Sequence, residues 1–191
     1  MNASIVSEQQ HTRLHPHKFA LWVAIASILM MFIGFTSAFI VKSNQAGWRT
    51  FVLPNIFWTS TVLILVSSLT MLMAVKAFKH RNMQQYRGLL GVTLLLGVAF
   101  VICQVIGFNE LWDNNVRFKG ASGAGQFFYP IAGLHAVHVI GGVIALLVMF
   151  FRSIAGKTKS YDAAPVEVMG TYWHFVDLLW LYLMIFFIIL G

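Results

Sequence analysis

Five long stretches of this chain carry almost no charge, and they constrain its fold more than any other feature. They span about residues 19–41, 54–75, 88–108, 127–151 and 168–190. Each matches the roughly 20 residues that an α-helix needs to cross about 30 Å of hydrocarbon. The runs are too continuous for the alternating strands of a barrel, and backbone polar groups in lipid must be satisfied within each segment. The sequence therefore predicts an all-α integral membrane bundle of five transmembrane helices.

Composition supports a membrane class. Of the 191 residues, 59% are apolar and 10% are charged, whereas roughly 25% are charged in an average soluble protein. These values exclude disordered chains, secreted disulfide scaffolds and water-soluble enzymes. Residues 1–18 are polar and are expected to form an N-terminal tail, followed by one transmembrane domain over residues 19–191. The first apolar stretch is too long for a cleaved signal peptide.

Lysine and arginine are distributed unevenly between the two predicted sides of the membrane. The N-terminal tail and the second and fourth loops hold 9 of them, and the opposite side holds 4. The positive-inside rule then places the N-terminus in the cytoplasm and the C-terminus outside. The formal charge of +7 is assigned to orientation and to lipid headgroups, so no nucleic-acid partner is expected.

A few polar side chains lie inside or beside the apolar stretches, where each is a functional hypothesis by default. The fourth stretch contains a His-x-x-His pair, the fifth contains a histidine and an aspartate after a glutamate in its lead-in, and the third ends in a glutamine and a glutamate. These residues are His135, His138, Glu167, His174, Asp177, Gln104 and Glu110.

The histidines do not form a complete set of metal or haem ligands. Measured from their common loop, His138 lies about 20 Å inside the fourth helix and His174 about 6 Å inside the fifth. Two ligands of one haem must share a depth, so hydrogen bonds between helices are the favoured interpretation. Because Glu167 and His174 share one helix face and Asp177 adjoins it, a proton relay is the alternative.

Two further patterns describe packing. Small residues in the fourth stretch are expected to let neighbouring backbones approach closely, namely Ala132, Gly133, Ala136, Gly141 and Gly142. Tryptophan and tyrosine near the ends of the stretches, Trp173 among them, suit the aromatic belt at the membrane interface.

Two strings closely resemble subunit III of haem-copper respiratory oxidases. They are Gly-Leu-His-Ala-Val-His-Val-Ile-Gly at 133–141 and Tyr-Trp-His-Phe-Val-Asp-Leu-Leu-Trp at 172–180. Leu-Pro-Asn at 53–55 and Ser67-Ser68, with the glutamine and glutamate of the third stretch, fall in the order of that family. The resemblance covers residues 17–191.

The resemblance implies a non-catalytic subunit of a cytochrome c or quinol oxidase, which reduces oxygen to water and pumps protons. In that family the catalytic subunit holds the haems and copper, and subunit III carries no redox centre. Its attributed roles are stabilising the catalytic subunit, supporting proton uptake, binding phospholipid and offering an oxygen route. The implied partners are subunit I as main contact, other oxidase subunits, membrane lipids and a respiratory supercomplex, in a bacterial inner membrane.

The resemblance also implies which residues make structural, lipid or subunit contacts rather than catalyse. They are His135, His138, Glu167, Trp173, His174, Asp177, Trp180, Gln104 and Glu110.

The chain departs from longer family members in ways that weaken a proton-carrying role. Those members have seven helices around a lipid-filled cleft, which this chain would complete only with helices from another chain. Ile28 after Ser27, and Gly107, stand where longer members have carboxylates. The competing hypotheses are a small transporter or proton channel that uses His174 and Asp177, and a membrane cytochrome b.

Overall fold

The computed structural model describes residues 16–44, 48, 53–113, 123–155 and 163–190, nearly all of which are helical. The helices are α1 Pro16–Ser43, α2 Ile56–Lys79, α3 Met83–Asp113, α4 Ala124–Ile154 and α5 Ala164–Leu190. All five are long and apolar enough to cross a membrane. No strand occurs within the described ranges. The predicted all-α class with five membrane-spanning helices is confirmed.

The helices do not begin and end where the apolar stretches do. α3 begins at Met83 and ends at Asp113, so it continues past its apolar stretch on both sides, and α5 begins at Ala164. Glu167 therefore lies in the first turn of α5. Pro54, at the predicted start of the second helix, precedes α2, and its carbonyl accepts a hydrogen bond from the Phe57 N–H at 3.1 Å.

Several residues used to predict orientation lie outside the described ranges. They are Arg13 in the N-terminal tail and, in the loops, Arg49, Arg117, Lys119, Lys157 and Lys159.

A tight turn joins α2 to α3. The N–H of Arg81 donates to the carbonyl of Phe78, and the N–H of Asn82 donates to that of Ala77, both at 3.0 Å. Arg81 has a φ of 58°, in the left-handed region that ends many helices. The turn makes α2 and α3 antiparallel neighbours along most of their length.

The packing order places α5 at the centre. α5 packs against α1, α2 and α4, while α3 packs against α2 and α4. α1 contacts α4 and α5, and none of its Cα atoms lies within 8 Å of a Cα of α2 or α3. Side chains of α5 that point into the bundle therefore meet groups from other helices, and the string at 172–180 lies on this central helix.

Candidate functional site

Trp173 fills the space between α2, α3 and α4. Its side chain is 1% exposed, and its indole Nε1–H donates to the Ser67 hydroxyl at 3.1 Å. The ring lies directly over Gly97 of α3 and Gly142 of α4, where an added Cβ would come within 2.9 Å of it. The expectation that Trp173 belongs to an interfacial belt is wrong, because the indole points into the bundle and its N–H finds a hydroxyl there.

The small residues of α4 have a different role from the predicted one. Gly142 makes room for the rings of Trp173 and Tyr172 rather than for a neighbouring backbone. Gly133 and Gly141 have open space where a Cβ would be, with nothing within 4 Å among the described residues. The expected close approach of backbones does not occur at these three glycines.

Trp180 repeats the arrangement two turns further along α5. Its Nε1–H donates to the Thr61 hydroxyl of α2 at 3.0 Å. Its ring meets Phe100 of α3 edge to face at 5.4 Å and stacks on His135 of α4, with centroids 5.2 Å apart and planes 27° apart. Each of the two tryptophans thus touches α2, α3 and α4.

His135 takes part in this aromatic core and not in a hydrogen bond. The residue is fully buried, and neither ring nitrogen has a hydrogen-bond partner among the described residues. Phe100 approaches its ring edge to face at 6.1 Å. The interhelical hydrogen bond expected of this histidine is absent from the described part of the chain, and ring packing takes its place.

His138 bonds to its own helix. Its Nδ1 lies 2.7 Å from the carbonyl oxygen of Leu134, which can only accept, so Nδ1 carries the proton. The ring edge faces Phe32 of α1 at 6.1 Å. The backbone carbonyl of His138 accepts a hydrogen bond from the Tyr172 hydroxyl at 3.0 Å, which joins α4 to α5.

Of the three histidines, His174 is the one whose ring forms a hydrogen bond with another helix. Its Nδ1 shares a hydrogen bond of 2.6 Å with the Ser68 hydroxyl of α2. Asp177, one turn further, is 3% exposed and lies beside the same hydroxyl. Neither carboxylate oxygen reaches hydrogen-bond geometry with a described residue. Ser68 and His174 therefore form a partly buried hydrogen bond between α2 and α5, with the buried carboxylate of Asp177 beside it.

Glu167 joins three helices at one end of the bundle. One carboxylate oxygen lies 2.8 Å from the Nζ of Lys18 on α1, and the other lies 2.8 Å from the Nζ of Lys79 on α2. All three side chains are partly exposed, so each ion pair is worth less than about 1 kcal/mol. The network sets the positions of three helix ends at modest energetic gain.

Gln104 and Glu110 behave differently although both lie late in α3. Gln104 is 2% exposed and its Nε2 donates to the Ser60 hydroxyl at 3.4 Å. Glu110 lies on the exposed side of the helix. The structure therefore makes Gln104 an internal contact and leaves Glu110 at the surface of the chain.

The polar side chains do not converge on a metal. Within the described ranges, no group of three or more histidine, cysteine, aspartate or glutamate side chains is placed to hold a metal ion. His135 stacks on Trp180, the Nδ1 of His138 bonds to a backbone carbonyl, and His174 bonds to Ser68. The imidazoles are thus engaged in three separate environments.

Sequence reasoning missed most of the partners of these residues. Thr61 and Ser67 accept the two indole N–H groups, and Lys18 and Lys79 pair with Glu167. One signal was available: hydroxyl pairs at 60–61 and 67–68 recur after seven residues on α2, as Trp173 and Trp180 do on α5. Equal spacing on antiparallel neighbours brings both sets to the same depths.

Comparison with known proteins agrees with these motifs. The chain matches the family described as cytochrome c oxidase subunit III over residues 7–191. A probable cytochrome c oxidase subunit 3 from Mycobacterium leprae (strain TN) is 31% identical over 172 residues, covering 87% of this chain and 85% of that protein. The cytochrome c oxidase subunit 3 of Bacillus sp. (strain PS3) is 26% identical over 167 residues, covering 85% of this chain and 80% of that protein.

A third relative, a probable cytochrome c oxidase subunit 3 from Nocardia farcinica (strain IFM 10152), is 29% identical over 185 residues, or 93% of this chain and 91% of that protein. The match thus includes all five helices and both strings that carried the resemblance. The chain belongs to the cytochrome c oxidase subunit III family.

Proposed function

We propose that this chain serves a haem-copper oxidase as a non-catalytic subunit that stabilises the catalytic subunit, binds membrane lipid and supports proton uptake. The family match over residues 7–191 is the observation that carries the proposal. Membership of the family implies a place in a haem-copper oxidase complex, and the bacterial relatives suggest the inner membrane for this multi-pass protein. Subunit I is the proposed main partner, and haem and copper are proposed to lie there.

The hydrogen bonds of the polar side chains are consistent with a structural role. Trp173 and Trp180 bond to hydroxyls of α2, His174 bonds to Ser68, and the described residues hold no metal-ligand group. These contacts fix the relative positions of helices within the chain. A rigid bundle of this kind offers a preformed surface to a membrane-embedded partner.

The transporter and cytochrome b hypotheses are not favoured. The string with His174 and Asp177 lies inside the range that matches the cytochrome c oxidase subunit III family. Asp177 is 3% exposed, and His174 is already engaged with Ser68. His174 therefore has an explanation in the contact between α2 and α5.

The proposed orientation puts the N-terminus in the cytoplasm. The ends of α1, α2 and α5 that meet at Glu167 carry Lys18, Lys76 and Lys79, which supports the positive-inside assignment. A cysteine introduced at Gln84, an exposed position at the start of α3, tests it in whole cells. Labelling only after the membrane is made permeable is expected; labelling by an impermeant maleimide in intact cells would overturn the orientation.

Deletion of the chain tests its role in the complex. The remaining oxidase is expected to begin turnover at a near-normal rate and then to lose activity over many turnovers, measured as oxygen consumption. Tagged full-length chain is expected to co-purify with haem-bearing subunits, read as a haem absorption spectrum. Failure to co-purify would refute membership of the complex, and unchanged long-term activity after deletion would refute the stabilising role.

A further inference from the structure

A groove of about 770 Å³ runs along the hairpin that α2 and α3 form. It is lined by Met73, Lys76, Ala77 and His80 of α2, Asn82 of the turn, and Gln85, Gly88 and Leu89 of α3. On each side these residues recur at intervals of three or four, so they share one helix face. Within the described part of the chain, the other three helices contribute no residue to the lining. The groove is therefore an outward-facing seam between two helices.

The groove lies mostly at the water-facing end of the hairpin. Five of its eight lining residues, from Lys76 to Gln85, fall between the second and third apolar stretches. Met73 and Leu89 belong to those stretches and make the inner end apolar. A Cβ added at Gly88 would meet no described atom within 4 Å, which lets a bound chain approach the backbone of α3 closely.

The charge around the groove has one sign. Residues 56–109 include no aspartate or glutamate. Lys76 and His80 line the groove, and both are exposed. Lys79 is paired with Glu167, whereas Lys76 has no ion-pair partner among the described residues. The groove therefore presents positive charge that the hairpin itself does not neutralise.

The size and the amide side chains of the groove fit a short stretch of polypeptide. A helix about 10 Å across with a rise of about 1.5 Å occupies roughly 120 Å³ per residue, so the groove has the volume of about six residues. Asn82 and Gln85 carry side-chain amides, which both donate and accept hydrogen bonds, as peptide groups do. A lipid phosphate offers acceptors alone. The lining thus matches a peptide better than a lipid headgroup.

We propose that this groove binds an acidic cytoplasmic segment of another oxidase subunit, its carboxylates beside Lys76 and His80 and its backbone against Asn82 and Gln85. Charge complementarity selects such a segment. Exposed ion pairs are individually weak, so a free peptide would be held poorly. A segment tethered within the same complex is present at high effective concentration, which offsets that weakness. The proposal rests on the proposed membership of an oxidase complex and on the proposed orientation.

Zero-length cross-linking in the purified oxidase complex tests the proposal. A carbodiimide couples a lysine amine directly to a carboxylate in contact with it, and peptide mass spectrometry identifies both residues. Lys76 is expected to be joined to an aspartate or glutamate of another subunit. Joining only to carboxylates of this chain, such as Glu8 or Asp162, would overturn the proposal, as would the absence of any product at Lys76.

A photo-reactive benzoylphenylalanine distinguishes a polypeptide from lipid in the same complex. In place of Gln85, inside the groove, it is expected to form an adduct with the acidic segment on illumination. In place of Gln84, which is exposed on α3 but outside the groove, it is expected to form no such adduct. A lipid adduct alone at position 85, or equal polypeptide adducts at both positions, would overturn the proposal.

A matched pair of charge reversals tests the electrostatic part. Lys76→Glu is expected to lower the yield of the adduct at position 85 about tenfold, because a like charge then faces the segment. Arg87→Glu makes the same change of charge at an exposed position of the hairpin outside the groove, and the yield is expected to stay within about twofold of the unaltered chain. Equal losses in the two variants would overturn a specific site.

Co-purification with haem-bearing subunits separates this proposal from the proposed function. Each variant and the unaltered chain are checked for it before illumination. Normal co-purification without a polypeptide adduct at position 85 would refute this site and leave the proposed function standing. Failure of the unaltered chain to co-purify would count against the proposed function itself.

Discussion

α5 and α1 are both long apolar helices, yet they are held by different means. Half of the most apolar stretch of α5 is buried inside the chain, against 22% for α1. α5 inserts Trp173 and Trp180 among three other helices and bonds both indoles to hydroxyls. Among the described residues, α1 contacts α5 through the Lys18–Glu167 ion pair, the hydrogen bond from Tyr182 to Thr36 and an aromatic cluster around Phe39.

The difference in packing between α5 and α1 matters because lipid, and not water, surrounds both helices. Lipid tails are as apolar as leucine, so the hydrophobic effect does not draw helices together within the hydrocarbon, and shape and hydrogen bonds decide. α5 combines interlocking shape with satisfied donors, since Gly97 and Gly142 admit the Trp173 ring. α1 contacts the outside of α4 and α5 with four buried side chains, Ile25, Phe32, Thr36 and Phe39. The bundle of α2–α5 therefore carries the stability, and α1 docks onto it.

Of the substitutions that test this difference between α5 and α1, Trp173→Ala is expected to lower the free energy of unfolding the most. It removes a fully packed ring and leaves the Ser67 hydroxyl without its donor. The expected loss is about 3 kcal/mol, the lower end for tryptophan in packed cores, because lipid replaces water for part of the transfer. Reversible unfolding in mixed micelles, followed by circular dichroism, measures the change.

Trp22→Ala on α1 is the matched control for that experiment. Trp22 is 63% exposed, so its removal is expected to change stability by no more than about 0.5 kcal/mol. Equal losses for the two variants would mean that α5 is not the better-packed helix. Trp173→Phe separates the hydrogen bond from the packing, because phenylalanine keeps an aromatic ring and lacks the N–H that bonds to Ser67.

The number of helices was predictable from the sequence because length and hydropathy alone decide it. The rotation of each helix about its own axis was not predictable, since a helix that is apolar on all sides gives no signal of which face is internal. Trp173 lies near the start of an apolar stretch, as a belt residue does, yet its indole points into the bundle. Glu167 and His174 do share one face of α5, as predicted, and both line a cavity between α2 and α5, because that inference used only helix geometry.

The packing or hydrogen-bond partner of each polar side chain was also not predictable from the sequence. His135, His138 and His174 looked alike as intramembrane histidines, yet one stacks on a ring, one bonds to its own helix and one bonds to a serine 106 residues away. Which of these occurs depends on what the neighbouring helix presents at that depth. Pattern arguments within one helix do not contain that information.

Gly142→Ala is expected to have an intermediate effect. An added Cβ would lie 2.9 Å from the Trp173 ring, so the ring or α4 has to shift, at a cost of about 1 to 3 kcal/mol. Gly141→Ala on the same helix meets no described atom within 4 Å and is expected to leave stability unchanged or raise it by up to about 1 kcal/mol through helix propensity. The same unfolding measurement compares the pair, and destabilisation of equal size at both positions would refute the role assigned to Gly142.

Tyr182→Phe is expected to have the smallest effect and to act on the attachment of α1. The Tyr182 hydroxyl lies 3.0 Å from the Thr36 hydroxyl, which itself donates to the Phe32 carbonyl of α1 at 2.9 Å, so Tyr182 is the donor in the contact between helices. Hydrogen bonds between membrane helices average about 0.6 kcal/mol, and the variant is expected to lose about that much. A double-mutant cycle with Thr36→Val isolates the pair, since valine keeps the shape of threonine. A coupling energy near zero would show that α1 is held by its aromatic cluster and ion pair alone, which would widen the contrast with α5.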